Sequence, residues 1–153
     1  MADSAAASAT SLIGSTIAGR YKVESLLGAG GMGEVYLVQH THMRKRFALK
    51  MLHAETSHNP EMVARFEREA MAAAHATHPN IAIAIDFGRA DSGAFFLVLE
   101  YLEGRRLRDA LAEGPLTVAR ALHIAQQVAS ALERSHELGI IHRELLAPLT
   151  DPG

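Results

Sequence analysis

Three glycines and one lysine carry the most direct chemistry in this sequence. The run Leu27-Gly28-Ala29-Gly30-Gly31-Met32-Gly33-Glu34-Val35 sets glycines at 28, 30 and 33, in the pattern G-x-G-x-x-G. Glycine permits positive φ and close backbone approach. Successive free backbone N–H groups in such a loop can hold a phosphate. Lys50 comes later, in the run Phe47-Ala48-Leu49-Lys50-Met51-Leu52. On a strand, Ala48, Lys50 and Leu52 share one face, and Phe47, Leu49 and Met51 share the other. An ammonium set among apolar neighbours is costly to bury unless an anion meets it.

The residues just after the loop decide among nucleotide sites. A dinucleotide site needs a helix directly after the glycines. Here Glu34-Val35-Tyr36-Leu37-Val38 comes next, a β-branched and aromatic run that reads as a strand. This disfavours a dinucleotide oxidoreductase. A Walker loop needs G-K-S/T, which is absent. The remaining reading is a glycine loop between two antiparallel strands, lying over the phosphates of ATP.

These residues resemble the protein kinases, and specifically the bacterial Ser/Thr kinases, which commonly carry G-A-G-G-M-G-E-V-Y. The kinase signature joins a glycine loop, a strand lysine, a helix glutamate, H-R-D, D-F-G and A-P-E. The resemblance implies that Leu27, Gly28, Gly30, Gly33, Val35, Ala48, Lys50, Leu99, Glu100 and Leu102 form an ATP site. Within it, Gly28, Gly30 and Gly33 would cradle phosphate, and Val35 and Ala48 would line the adenine pocket. Leu99 would stand as gatekeeper, and the Glu100 and Leu102 backbones would meet the adenine edge. Glu69 would pair with Lys50 and orient its ammonium toward the α- and β-phosphates. The alternative for Glu69 is a solvent-exposed pair with Arg65, four residues earlier on the same helix.

The fold implied is α+β: a protein-kinase-like N-lobe of five antiparallel strands and one main helix, a hinge, and the first helices of an incomplete helical C-lobe. Residues 1–19, rich in Ala, Ser and Thr, read as a flexible leader. The N-lobe covers 21–99, the hinge 100–104, the start of the C-lobe 105–145, and an aberrant tail 146–153. Strands are expected at 21–27, 34–40, 46–52, 81–87 and 95–99. Asn59-Pro60-Glu61 starts a helix reaching about residue 76, with Asn as cap and Pro at the first position. Its apolar face carries Met62, Phe66, Ala70 and Ala73. A short helix is expected over 105–112. Thr117 can cap a long one ending near 138, where Gly139 suits the position after the last turn. Along that helix Val118, Ala121, Leu122, Ala125, Val128, Ala129, Leu132 and His136 form an apolar stripe. Such a face calls for a covering partner.

Two triplets depart from the family pattern. Asp86-Phe87-Gly88 spells D-F-G but precedes the H-R-D position, so it reads as the end of a strand and not as a magnesium site. Ile141-His142-Arg143-Glu144-Leu145 matches I-H-R-D-L with Glu144 in place of the catalytic aspartate. One extra methylene shifts that carboxylate, and a misplacement of ~1 Å can cost about 100-fold in rate. The positions of the family's loop lysine and magnesium-binding asparagine hold Leu146 and Leu149. Magnesium is expected with ATP, but no protein ligand for it is identified. The loss of pattern after Leu145 suggests a truncation or shifted frame, with phosphoryl transfer weak or absent. A non-catalytic pseudokinase module is the alternative, and a kinase completed by another chain is a further one.

Composition bounds these readings. The 153 residues suffice for about one domain, and 48% apolar with 21% charged residues fits a globular protein. A net charge of -2 gives no electrostatic reason for nucleic acid or an anionic membrane. No cysteine is present, so disulfide and thiolate chemistry are excluded. Nine histidines include His40-x-His42 and His75-x-x-His78, but neither pair has the companions of a structural metal site. No apolar run approaches the ~20 residues of a membrane span. A cytoplasmic location is expected.

Overall fold

A computed structural model describes residues 12–140. Its centre is one antiparallel sheet: β1 (Thr16–Ile17), β2 (Tyr21–Ala29), β3 (Gly33–His40), β4 (Arg46–Leu52), β5 (Ala84–Arg89) and β6 (Phe95–Glu100), in the order β1-β2-β3-β4-β6-β5. The alternation expected for β4 is present. Phe47, Leu49 and Met51 enter one core with Tyr36, Val38, Phe96 and Val98. Leu52 enters a second core with Phe66, Ala70 and Leu97. Tyr36, Phe66, Phe96 and Leu49 have no exposed surface, and burying an aliphatic or aromatic side chain this completely contributes about 1.5–3 kcal/mol each.

The sheet curls. Tyr21 on β2 packs edge-on against Phe96 on β6, with ring centres 6.1 Å apart. Its hydroxyl donates to Asp86 on β5 at 2.7 Å. Strands that are far apart in the sheet order therefore close over the first core.

Among the described residues, four helices accompany the sheet: α1 (Ala54–Ser57), α2 (Pro60–His75), α3 (Leu107–Ala112) and α4 (Val118–Glu137). The Asn59 side chain caps α2 by accepting from the Glu61 and Met62 N–H groups. Capping of this kind typically stabilises by about 1 kcal/mol. Phe66 and Ala70 are the buried residues of α2 and dock it on the second core. Thr117 caps α4 by accepting from Arg120 N–H at 3.3 Å. Gly139 comes after α4 with φ +74°, a left-handed conformation that glycine adopts without strain.

The structure corrects several expectations. The sheet has a sixth strand, β1, inside the segment read as a flexible leader. Its described part is tied to the sheet: Gly14 N–H donates to Val23, Val23 N–H donates to Ser15, and Ile17 is buried in the first core. The strand expected at 81–87 begins only at Ala84, because Ile81 N–H closes a turn onto the His78 carbonyl. The short helix starts at Leu107, and α1 was not anticipated. No residue of α4 is buried. The helix meets the rest of the chain through Asn80 Nδ2 to Gln127 and His78 Nε2 to Ser130, both 2.9 Å, so most of the anticipated stripe stays exposed.

Candidate nucleotide site

The glycine loop joins β2 to β3. Leu26 pairs with Tyr36 and Gly28 with Val35, so a bulge falls at Leu27. The loop narrows where Gly30 N–H donates to the Gly33 carbonyl at 2.9 Å. The glycines differ in what they are needed for. A Cβ on Gly33 would lie 2.0 Å from the Met51 carbonyl oxygen, so no side chain fits there. Gly28 and Gly31 have open space around the same position. Among the described residues, the N–H groups of Gly31 and Met32 have no acceptor. Two adjacent donors at an exposed loop tip suit an oxyanion.

The sheet register sets the rest of the site beneath the loop. Val35 lies opposite Lys50, and Leu37 opposite Ala48. On the other side of β4, Leu97 lies opposite Lys50 and Leu99 opposite Ala48. Directly opposed residues share a face, so Val35, Ala48 and Leu99 stand on the same side as Lys50. All three are half-buried, forming an apolar floor beside an ammonium.

Helix α2 brings a carboxylate to that ammonium. Glu69 Oε2 lies 3.5 Å from Lys50 Nζ, and Glu69 Oε1 lies 3.5 Å from Arg65 Nε. The two candidate partners of Glu69 are thus held together, one by each oxygen. Lys50 Nζ also sits 5.7 Å from the centre of the Phe66 ring. The Lys50 side chain is 31% exposed, and a pair this open contributes at most about 1 kcal/mol to stability.

Glu34, between the loop and Val35, is turned to the opposite face. It is buried and accepts from the Tyr36 hydroxyl at 2.5 Å. Burial, this hydrogen bond and the Glu34 charge push the Tyr36 phenol well above its usual range.

At the end of β6, Glu100 clasps Ile83: its N–H donates to the Ile83 carbonyl, and its Oε1 accepts from the Ile83 N–H, both at 3.0 Å. Leu102 is 65% exposed, and its N–H has no acceptor among the described residues. Asp86 of the D-F-G triplet lies within β5. Its Oδ2 takes the Tyr21 hydroxyl at 2.7 Å and Arg20 at 3.0 Å, and its Oδ1 takes Phe87 N–H. Burial first, then the Asp86 hydrogen bond and charge, push the Tyr21 phenol up to about 12. Asp86 and Glu69 are both committed to protein partners, so neither fits a magnesium ion. Among the described residues, no three His, Asp or Glu side chains gather as a metal site. Glu144, Leu146 and Leu149 lie outside the described residues.

One contact escaped the sequence reading. His53 comes directly after β4, and its Nε2 lies 3.1 Å from the Gly30 carbonyl, while its N–H donates to Met32 at 3.2 Å. The pairing of Gly33 with Leu52 sets residue 53 beside the loop, and no signal in the sequence marks that register.

The protein kinase domain family matches residues 21–146. The chain belongs to the protein kinase family. Its curated relatives include bacterial Ser/Thr kinases. Serine/threonine-protein kinase pkn3 of Myxococcus xanthus is 43% identical over 134 residues, which are 87% of this chain and 24% of that protein. Serine/threonine-protein kinase PrkC of Bacillus subtilis is 38% identical over 135 residues, 88% of this chain and 21% of that one. A crystal structure of the Mycobacterium tuberculosis PknI kinase domain superposes with a TM-score of 0.71 at 38% identity, covering 85% of this chain and 54% of that domain. The kinase chain thus spans under a quarter of these two curated relatives and about half of a solved kinase domain. Its sheet and α2 form the N-lobe of that fold.

Proposed function

We propose that this chain is the nucleotide-holding part of a Ser/Thr protein kinase, with ATP·Mg as its ligand. The observation that carries the reading is a single alignment of groups. The open Gly31 and Met32 N–H groups, the Lys50 ammonium steered by Glu69, and the apolar Val35, Ala48 and Leu99 floor belong to one corner of the sheet. The donors suit phosphate oxygens and the floor suits a purine. The free Leu102 N–H suits an acceptor on the purine edge.

The family reaction moves the γ-phosphoryl of ATP to a protein Ser or Thr hydroxyl. This chain alone transfers phosphate weakly or not at all, since Glu144, Leu146 and Leu149 stand where the reaction uses Asp, Lys and Asn. Its place of work is the cytoplasm, where ATP is available. Among the described residues, no helix is long and apolar enough to cross a membrane.

Thermal unfolding with and without ATP·Mg tests the reading, beside Lys50→Ala. A ligand at about 100 times its Kd adds ~2.7 kcal/mol. A transition raised by ATP only when Lys50 is present supports the site. A transition indifferent to ATP defeats it.

A second reading rests on α4. Val118 is 77% exposed and Leu122 60%, both apolar and one turn apart. An apolar face of this kind marks a protein contact. The chain would then act as a non-catalytic module, or as half of a kinase completed by another chain. Sedimentation over a concentration series, repeated with Leu122→Asp, tests the contact. Activity appearing only on mixing with a second kinase segment would favour completion.

A further inference from the structure

We infer that His53 is a positioning residue that fixes the glycine loop for its phosphate ligand, an inference that rests on the ATP reading. The loop tip has little else to hold it. Gly28 and Gly31 have open space around them, and the one hydrogen bond across the loop is Gly30 N–H to Gly33. Against this, His53 makes three connections. Its Nε2 meets the Gly30 carbonyl at 3.1 Å, its N–H meets the Met32 carbonyl at 3.2 Å, and its own carbonyl accepts from Ser57 N–H at 2.9 Å. The last bond ties the residue into α1, so the loop is braced against a helix and not merely against another loop.

The chemistry sets the direction of the contact. A carbonyl only accepts, so Nε2 carries the proton and donates. Gripping the Gly30 carbonyl turns the Gly31 N–H, on the far side of the same peptide plane, away from His53, and the Gly31 and Met32 N–H groups are both unpaired. Met32 also packs its side chain against the core of Leu52, Phe66, Ala70 and Leu97. The imidazole therefore holds one leg of the loop while Met32 anchors its tip. A loop fixed this way loses less conformational freedom when an anion binds.

The test separates the imidazole from the backbone. His53→Ala removes the Nε2 donor and leaves the N–H to Met32 intact. His53→Gln restores an N–H donor at similar reach. Amide exchange at Gly30 is followed by NMR in the nucleotide-free chain, and ATP·Mg affinity by displacement of a fluorescent ATP analogue. His53→Ala is expected to speed Gly30 exchange about five-fold, the equivalent of one hydrogen bond's net worth. It should weaken ATP binding by a similar factor, and His53→Gln should recover most of both. Unchanged Gly30 exchange in His53→Ala overturns the inference, as does faster exchange with unchanged affinity. Failure of the parent chain to bind ATP defeats the ATP reading instead, and the exchange data then decide alone whether His53 holds the loop.

Discussion

The Lys50 ammonium meets the Glu69 carboxylate across the gap between β4 and α2, Nζ to Oε2 at 3.5 Å. Both side chains keep some contact with water, so the pair adds little to stability. Its removal should therefore separate stability from function. Glu69→Gln is expected to lower the melting temperature by no more than ~2–4 °C, the equivalent of 1 kcal/mol in a chain of this size. The ATP-induced rise should shrink markedly in the same variant. Parallel thermal scans check both, and an undiminished ATP response would remove Glu69 from the site.

Gly33→Ala should be among the costliest changes in the loop. The added carbon would sit 2.0 Å from the Met51 carbonyl oxygen, an overlap relieved only by moving backbone. Overpacking of this kind costs typically 1–3 kcal/mol. Gly31→Ala, with open space around it, should stay within about 0.5 kcal/mol. Urea unfolding of the two variants compares them directly, and equal losses would contradict the steric account.

Asp86→Ala distinguishes a strut from a metal ligand. It strips the acceptor from the Tyr21 hydroxyl and the partner from Arg20. A buried donor left unsatisfied costs about 1–3 kcal/mol. The stability of the free chain should fall by that order, while the rise produced by ATP·Mg remains. Loss of the ATP·Mg response, with ATP alone still binding, would reinstate the triplet as a metal site.

Alkaline pH should act through the two buried phenols. The ordinary tyrosine value is 10.0, and Tyr21 is pushed up to about 12, with Tyr36 also raised. A folded-state value above the unfolded one means that the unfolded chain gives up its proton first. The stability due to these phenols is fully present below pH 10 and drains away between 10 and about 12. Tyr21→Phe should make that decline shallower. Denaturant midpoints measured from pH 8 to 12 would show it, and an identical slope in the variant would contradict the assignment.

Much of this architecture was legible because it is written in local chemistry. β-branched and aromatic composition marked β3, and period-two alternation in β4 put Lys50 opposite the Phe47, Leu49 and Met51 face. Asn59 and Thr117 announced their helices because their side-chain oxygens satisfy N–H groups that every helix start leaves open. The Lys50–Glu69 contact was reachable only through family resemblance, since nothing local says which strand a helix will face. Residues 16–17 were missed for the opposite reason. Their Ala- and Ser-rich surroundings look flexible, and a single buried side chain, Ile17, pins them to Tyr21. The grip of His53 on Gly30 depends on strand register, which spacing along the chain does not encode. Glu34 shows another limit: it shares the core face with Tyr36, two residues on along β3, where its residue type alone suggests solvent.

The unequal crowding along the glycine loop has a mechanical consequence. The leg at Gly33 is wedged against Met51, whereas the leg at Gly28 to Gly31 has open space around it and is checked at Gly30 by His53. A ribbon clamped at one foot and loose at the other does not rise evenly. It pivots, like a door hung on one jamb, with Gly33 and the core-anchored Met32 as the jamb and the β2 leg as the part that sweeps. Entry and departure of a ligand beneath it would trace that arc from the β2 side, and a substitution's effect on their rates should depend on which leg it touches.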